Sequence, residues 1–486
     1  RLQEAEVLLY FVSSSLSHHK IMPAALKSEL ELLKEKNIFK AEAGQVHLHR
    51  FSCHGFPPFL MLAGLGEAAE MDVVTMKDAA ATAMRSLSRH HFRNAAAVLP
   101  ASADGKTMIE QIAAMAEGLI LGSYHPPSFA KNAPDKHKVE QMMIVHHVDS
   151  EEELGELNRM LNRSQVIADA TNDARDWVNL PGNMLTPQKF AETAEKIASE
   201  YGLECEVWAG QDLIKHQMHG LHHVGKGSEN KPACIILRYD GNPESSEVLG
   251  LAGKGITFDT GGISIKQREG MEKMIDDMGG AAAVLAAMKI AAQLKPKINI
   301  VAVLPCAENM PSGSAYKPGD VVPTLSGKTI EIINTDAEGR IVLADGVALA
   351  QQKGATKLID VATLTGAVGV ALGNVATGAI TNDEAFLQEL LQAAEKSGEK
   401  IWQLPSFEEY KELLRSDAAD VRNSCGRGAG AVTAGLFIGA FVEDIPWIHL
   451  DIGSTVYRSA ARGVDPKGAS GRMVRTLAEY ICSCSE

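Results

Sequence analysis

Seven consecutive residues, Asn334-Thr335-Asp336-Ala337-Glu338-Gly339-Arg340, constrain this chain more than any other stretch. A short β-branched run (Ile330, Ile332, Ile333) precedes them and reads as the end of a strand. Ile341, Leu343, Ala344, Val347 and Ala348 follow at the spacing of a buried helix face. Asp336, Glu338 and Arg340 therefore fall in a strand-to-helix turn. In extended backbone, residues two apart point to one side, so all three are expected to converge. Two carboxylates forced together need compensation, and a divalent cation with oxygen ligands supplies it. A solvated turn between strand and helix fits the same residues, and the stretch alone does not separate the two readings.

The surrounding pattern is α/β. Strands are expected over 7–12, 95–99 and 141–148, with helices over 76–87 and 108–121. An acidic stretch at 149–154 opens a helical run to about 176, and two prolines with a glycine in NLPGNMLTP (179–187) then break any helix. Beyond it, helices over 189–199 and 280–294 alternate with strands over 233–239, 248–252, 298–304 and 358–362. The 486 residues allow two to four domains. The expected organisation is a smaller N-terminal α/β domain at 1–150 with an architectural or oligomer role, then a linker helix at 151–177. A larger C-terminal α/β domain with a mixed central sheet follows at 178–486 and carries the chemistry. The adjacent pairs His18-His19, His90-His91 and His146-His147 cannot face one ligand and read as surface or core residues.

Three further loops lie near strand ends of the second domain. Gly253 to Lys266 (GKGITFDTGGISIK) alternates Lys254, Asp259 and Lys266 with glycines and apolar residues. It meets neither G-x-x-x-x-G-K-[ST] nor G-x-G-x-x-G, which disfavours a phosphate cradle. Asp276 or Asp277 could cap the following helix or face the same loops. Thr363-Leu364-Thr365-Gly366 either lines a cleft or simply turns the chain. Together Lys254, Asp259, Lys266, Asp277, Asp336, Glu338 and Arg340 suit a pair of cations that activates a water. No H-E-x-x-H, G-x-S-x-G or local Cys/His signature competes. The net charge of −14 argues against a nucleic-acid partner. Seven scattered cysteines without a C-x-x-C pair, no apolar run long enough to span a membrane and no signal peptide make a cytoplasmic protein the expectation.

NTDAEGR and GKGITFDTGGISIK, with NLPGNMLTP, DMGG (277–280), ATLTGA (362–367) and GRGAGAVTAG (426–435), resemble the leucine aminopeptidase (cytosol aminopeptidase, M17) family. The resemblance spans roughly 179–477. It implies that Lys254, Asp259, Asp277, Asp336 and Glu338 bind two divalent metals, with Asp259 and Glu338 bridging and a main-chain carbonyl at the Asp336 position contributing. Zn²⁺ is the first expectation, with Mn²⁺, Co²⁺ or Mg²⁺ at one site as alternatives. It also implies that Lys266 polarises the scissile carbonyl and stabilises the gem-diolate, and that Arg340 holds a bicarbonate acting as base. Thr363 and Leu364 would offer carbonyls to the substrate, while Met274, Thr363 and Gly366 would line the first side-chain pocket. The implied activity is removal of an N-terminal leucine or other apolar residue from peptides with a free N-terminus, by a homohexamer. One departure stands out: Gly453-Ser454 replaces the Ala-Gly that the family commonly shows, and that region shapes specificity.

Overall fold

The structure, a computed structural model, describes residues 4–14, 24–53, 55–67, 72–99, 105–131, 138–146, 148, 150–426 and 428–484. His18, His19, His147 and Arg427 of the glycine-rich 426–435 stretch lie outside the described residues. The chain divides into two units, Arg1–Asn172 with Ser459–Lys467, and Asp173–Arg458 with Gly468–Glu486.

In the first unit, five strands pair in the order Val46–Arg50, Phe59–Gly64, Val7–Val12, Asn94–Val98, Gln141–Val145. All pairs are parallel except Val46–Arg50 with Phe59–Gly64. Every residue of Val7–Val12 is buried, because a parallel sheet is covered on both faces. Val7, Leu9 and Phe11 pack with Met76, Ala80 and Met115 on one side, and Leu8, Tyr10 and Val12 with Leu26, Leu30 and Leu33 on the other. Of the remaining expected histidines, His90 and His91 are exposed. Val464, far along the chain, joins this unit by donating its backbone N–H to Asp78 and packing with Ala81, Leu121 and Ala168.

The acidic stretch near 150 proves to be a helix start. Ser150 accepts from the backbone N–H of Glu153 at 3.1 Å, and Glu151, Glu152 and Glu153 fill the first turn, where the helix dipole favours negative charge. The helix runs Glu151–Asn179 and ends just before Pro181.

The second unit holds a nine-stranded mixed sheet. Its path is Ile401–Gln403, Thr377–Thr381, Trp447–Asp451, Lys357–Ala362, Val248–Gly253, Asn299–Asn309, Ala233–Asp240, Glu204–Ala209. The four central strands are parallel, and Gly255–Asp259 pairs with the far end of Asn299–Asn309. That strand outruns its expected end because Pro305 to Asn309 stay buried and Cys306 to Asn309 find this second partner, with a register shift between Ala307 and Glu308. The helix Gly339–Gln352 is buried through Ala350, and its Ile341, Val342 and Val347 share a core with Val248, Ala252, Val301 and Val303. A helix this apolar around its circumference belongs in the interior.

The β-branched run before Asn334 begins in a short strand, Thr329–Glu331, which contains Ile330. Thr329–Glu331 pairs with Val321–Pro323 and Val421–Arg422 in a separate three-stranded sheet. Periodicity identifies a strand but carries no information about its partner.

Candidate metal centre

Lys254 follows the strand Val248–Gly253 directly. Its backbone N–H donates to Val361 O at 3.0 Å, and its carbonyl accepts from Ala281 N at 2.9 Å, so the neighbouring strand and the helix Gly279–Leu294 clamp it from two sides. The side chain is only 3% exposed, and Nζ meets Asp277 Oδ1 at 2.8 Å, Thr363 O at 2.8 Å and Glu338 Oε1 at 3.0 Å. Gly339 makes this approach possible. A Cβ there would lie 2.4 Å from Lys254 Cε and 2.6 Å from Nζ.

Asp277 lies in a short 3₁₀ helix, Met271–Met278, and accepts the Thr363 hydroxyl at 2.7 Å. Neither Asp276 nor Asp277 caps the helix that follows; Met278 occupies the cap position without a side-chain hydrogen bond. Asp259 closes the strand Gly255–Asp259. Its Oδ1 accepts from Gly261 N and Asn309 Nδ2, both at 2.8 Å, which leaves Oδ2 facing Lys266 Nζ at 2.7 Å. Lys266 also meets Asp336 at 2.5 Å and, at 23% exposed, is far more open than Lys254. Oxygens of Asp259, Asp336 and Glu338 lie within 4.8 Å of one another.

The signature turn converges for a reason other than extended alternation. Glu338 is already helical (φ −74°, ψ −35°) and immediately precedes the helix carrying Arg340. The turn is held from outside by Asn423, whose Oδ1 accepts from Ile333 N and Asn334 N while Nδ2 donates to Asn334 O and Ala337 O. Arg340 is buried, stands outside the lysine–carboxylate network and donates through Nη1 to Asn423 O at 2.8 Å. Of the other expected residues, Leu364 packs against the sheet core, Met274 is half-buried on the 3₁₀ helix, and Gly366 is exposed at the start of the helix Gly366–Leu372. The structure thus brings Lys254, Asp259, Lys266, Asp277, Asp336, Glu338 and Thr363 into one group.

Sequence reasoning passed over Asn309, Thr335 and Asn423. Asn309 is fully buried and joins Asp259 to the signature turn by donating to Thr335 O at 3.0 Å. Thr335 in turn donates to Gly261 O and accepts from Ser264 N. The available signal for the first was an asparagine shortly after the apolar run Ile298 to Leu304, beyond Pro305 to Glu308. Asn423 has no local signal, because its partners lie some ninety residues earlier.

Burial pushes Asp259 up to about 6, with Glu338 and Asp336 adding to the effect and Lys266 and Lys254 opposing it. Burial likewise raises Asp277 and Asp336. For Lys254, burial opposes the charge, but Asp277, Glu338 and Asp259 outweigh it and hold the amine above the usual lysine range. The group is therefore short of positive charge. Asp277 Oδ2 and Glu338 Oε2 are buried with no hydrogen-bond partner among the described residues. Enclosed, unpartnered carboxylate oxygens beside an amine nitrogen form a donor set that fits divalent cations.

The comparisons agree with this geometry. The description "Cytosol aminopeptidase family, catalytic domain" matches residues 172–478, and "Cytosol aminopeptidase family, N-terminal domain" matches residues 7–131. A probable cytosol aminopeptidase of Alkaliphilus metalliredigens (strain QYMF) is 42% identical over 468 residues, 96% of this chain and 93% of that protein. One from Bacillus subtilis (strain 168) is 43% identical over 458 residues, 92% and 89% respectively. Among solved structures, the bottromycin maturation enzyme BotP in complex with Mn shares 34% identity at a TM-score of 0.87, covering 99% of this chain and 100% of that one. A tomato leucine aminopeptidase mutant shares 31% at 0.87, covering 99% and 94%. With both of its units matched and its signature residues gathered in one buried group, this chain belongs to the cytosol aminopeptidase family.

Proposed function

We propose that the protein is a two-metal aminopeptidase that removes the first residue, leucine or another apolar one by preference, from peptides with a free N-terminus. The observation that carries this reading is the buried group itself. Four carboxylates surround two lysines, and two carboxylate oxygens are left without partners. Lys254, Asp259, Asp277, Asp336 and Glu338 would hold the cations, with Asp259 and Glu338 shared. When bound, the cations would supply Lewis acidity and a water ionised near neutral pH.

The chain's own residues do the rest. Lys266, the more open lysine, is placed to steady negative charge developing on the scissile carbonyl oxygen and its gem-diolate. Arg340 has a buried Nε without a hydrogen-bond partner among the described residues, a donor suited to a small oxyanion such as bicarbonate. Thr363 and Leu364 offer carbonyls to the substrate's amine and peptide N–H, and Met274, Thr363 and Gly366 border the first side chain. The N-terminal unit serves assembly, as a homohexamer, and the relatives' names support a cytoplasmic setting.

The test is release of 4-nitroaniline from leucine 4-nitroanilide by protein stripped with a chelator and then given Mn²⁺ or Zn²⁺. Turnover lost on stripping and restored by either ion is the expected result. If neither ion restores it, and leucyl, methionyl and arginyl dipeptides also fail, the hydrolase reading is wrong. A second expectation arises from the contact at Gly339. Gly339→Ala should push the Lys254 amine off its partners and weaken Mn²⁺ binding by about 10- to 100-fold, the scale seen when a ligand's support is disturbed. Titration calorimetry that gave the wild-type affinity would rule this out.

A further inference from the structure

We infer that Asp451 is a positioning residue that aims the Thr363 and Leu364 carbonyls at the substrate, an assignment that rests on the aminopeptidase reading. The strand Trp447–Asp451 lies parallel to Lys357–Ala362, with Asp451 opposite Ala362 at the point where both chains leave the sheet. Asp451 is 1% exposed. Its Oδ1 accepts from Leu364 N at 3.1 Å, Thr365 N at 3.3 Å and Gly453 N at 3.0 Å, and its Oδ2 accepts the Thr365 hydroxyl at 2.7 Å.

Peptide planarity converts these bonds into aim. In a trans peptide the N–H of one residue points opposite to the C=O of the residue before it. Among the described residues no peptide bond is cis. Holding the Leu364 N–H on Asp451 therefore turns the Thr363 carbonyl the other way, and that carbonyl meets Lys254 Nζ at 2.8 Å. Holding the Thr365 N–H likewise turns the Leu364 carbonyl away from Asp451. One buried carboxylate sets both acceptors.

Gly453 is part of the same device. A Cβ at this position would lie 2.6 Å from Thr365 O, a backbone atom that cannot swing aside. The absence of a side chain allows the strand end to approach the loop closely. The glycine at the position where the family commonly carries alanine thus has a direct consequence for where the two carbonyls sit.

The experiment is steady-state kinetics with leucine 4-nitroanilide on Mn²⁺-loaded protein, alongside metal content and Tm. Asp451→Ala is expected to raise KM about tenfold or more, since small misplacements of substrate-holding groups cost up to about a hundredfold in kcat/KM. Metal content should stay at the wild-type value. Asp451→Asn keeps an oxygen for the three backbone N–H groups and should recover to within about threefold of wild type. Gly453→Ala, which removes no buried charge, should raise KM about threefold or more by displacing Thr365. A purely structural role would instead lower kcat and Tm together with KM unchanged. Wild-type KM in Asp451→Ala and Gly453→Ala would overturn the inference, as would an Asp451→Asn variant as defective as Asp451→Ala. If Asp451→Ala does not fold, Gly453→Ala decides. Wild-type protein with no turnover would strike the aminopeptidase reading itself, and this inference with it.

Discussion

Glu338→Ala should abolish metal-dependent turnover and, with it, the thermal stabilisation that metal confers on the wild type. Glu338 is the carboxylate common to both halves of the group. One oxygen meets Lys254 at 3.0 Å, and the side chain also belongs to the cluster with Asp259 and Asp336. Its second oxygen has no hydrogen-bond partner among the described residues. Breaking a buried ion pair ordinarily costs about 3–5 kcal/mol, because the remaining charge is stranded. Here the balance differs. Four carboxylates face Lys254 and Lys266, so removing one relieves repulsion, and Lys254 keeps its 2.8 Å contact with Asp277. The metal-free variant should therefore melt within a few degrees of metal-free wild type.

The difference appears when metal is added. A cation at a hundred times its Kd stabilises a folded protein by about 2.7 kcal/mol, and this increment should vanish in the variant. Activity should fall by at least about a hundredfold, since a single lost electrostatic contact at a reacting centre already costs that much. Thermal melts with chelator and with Mn²⁺, run beside the leucine 4-nitroanilide assay, check both parts. A variant that still binds two ions per subunit, or keeps a tenth of the wild-type rate, would remove Glu338 from its proposed role.

The second large effect belongs to Lys266. Lys266→Met preserves the length and apolar stem of the side chain and deletes only the ammonium. If that charge stabilises the oxyanion of the reaction, kcat should drop by about 10²–10³ with KM little altered, the pattern of an interaction made chiefly in the transition state. The two lysines are separable on this point. Lys254 is 3% exposed and tied to three oxygens on the floor of the group, whereas Lys266 is 23% exposed and meets Asp259 and Asp336 nearer the solvent. Removing Lys254 should lower metal content, and removing Lys266 should not. Lys266→Arg should not rescue, because a planar guanidinium cannot present its charge as a compact ammonium does. A Lys266→Met enzyme with unchanged kcat, or one that has lost its metal, would show that Lys266 is not the electrostatic catalyst.

Much of this protein could be read from local sequence. The helix Gly339–Gln352 and the strand Val248–Gly253 announce themselves as apolar runs of helix and strand length, because both are buried on every side. The two loops carrying Lys254, Asp259, Lys266, Asp336 and Glu338 are short runs dense in charge and glycine. Such a run is costly to bury without a ligand, and that cost is visible in one dimension. What lay beyond reach were relations between distant segments. Pairing of Thr329–Glu331 with Val421–Arg422, support of the signature turn by Asn423, and the passage of Val464 into the first unit all join residues that share no local pattern. Asp451 is the plainest case. Its identity stood in the sequence, but three of its four donors, on Leu364 and Thr365, are supplied by where two parallel strands end, and only the packed sheet determines that.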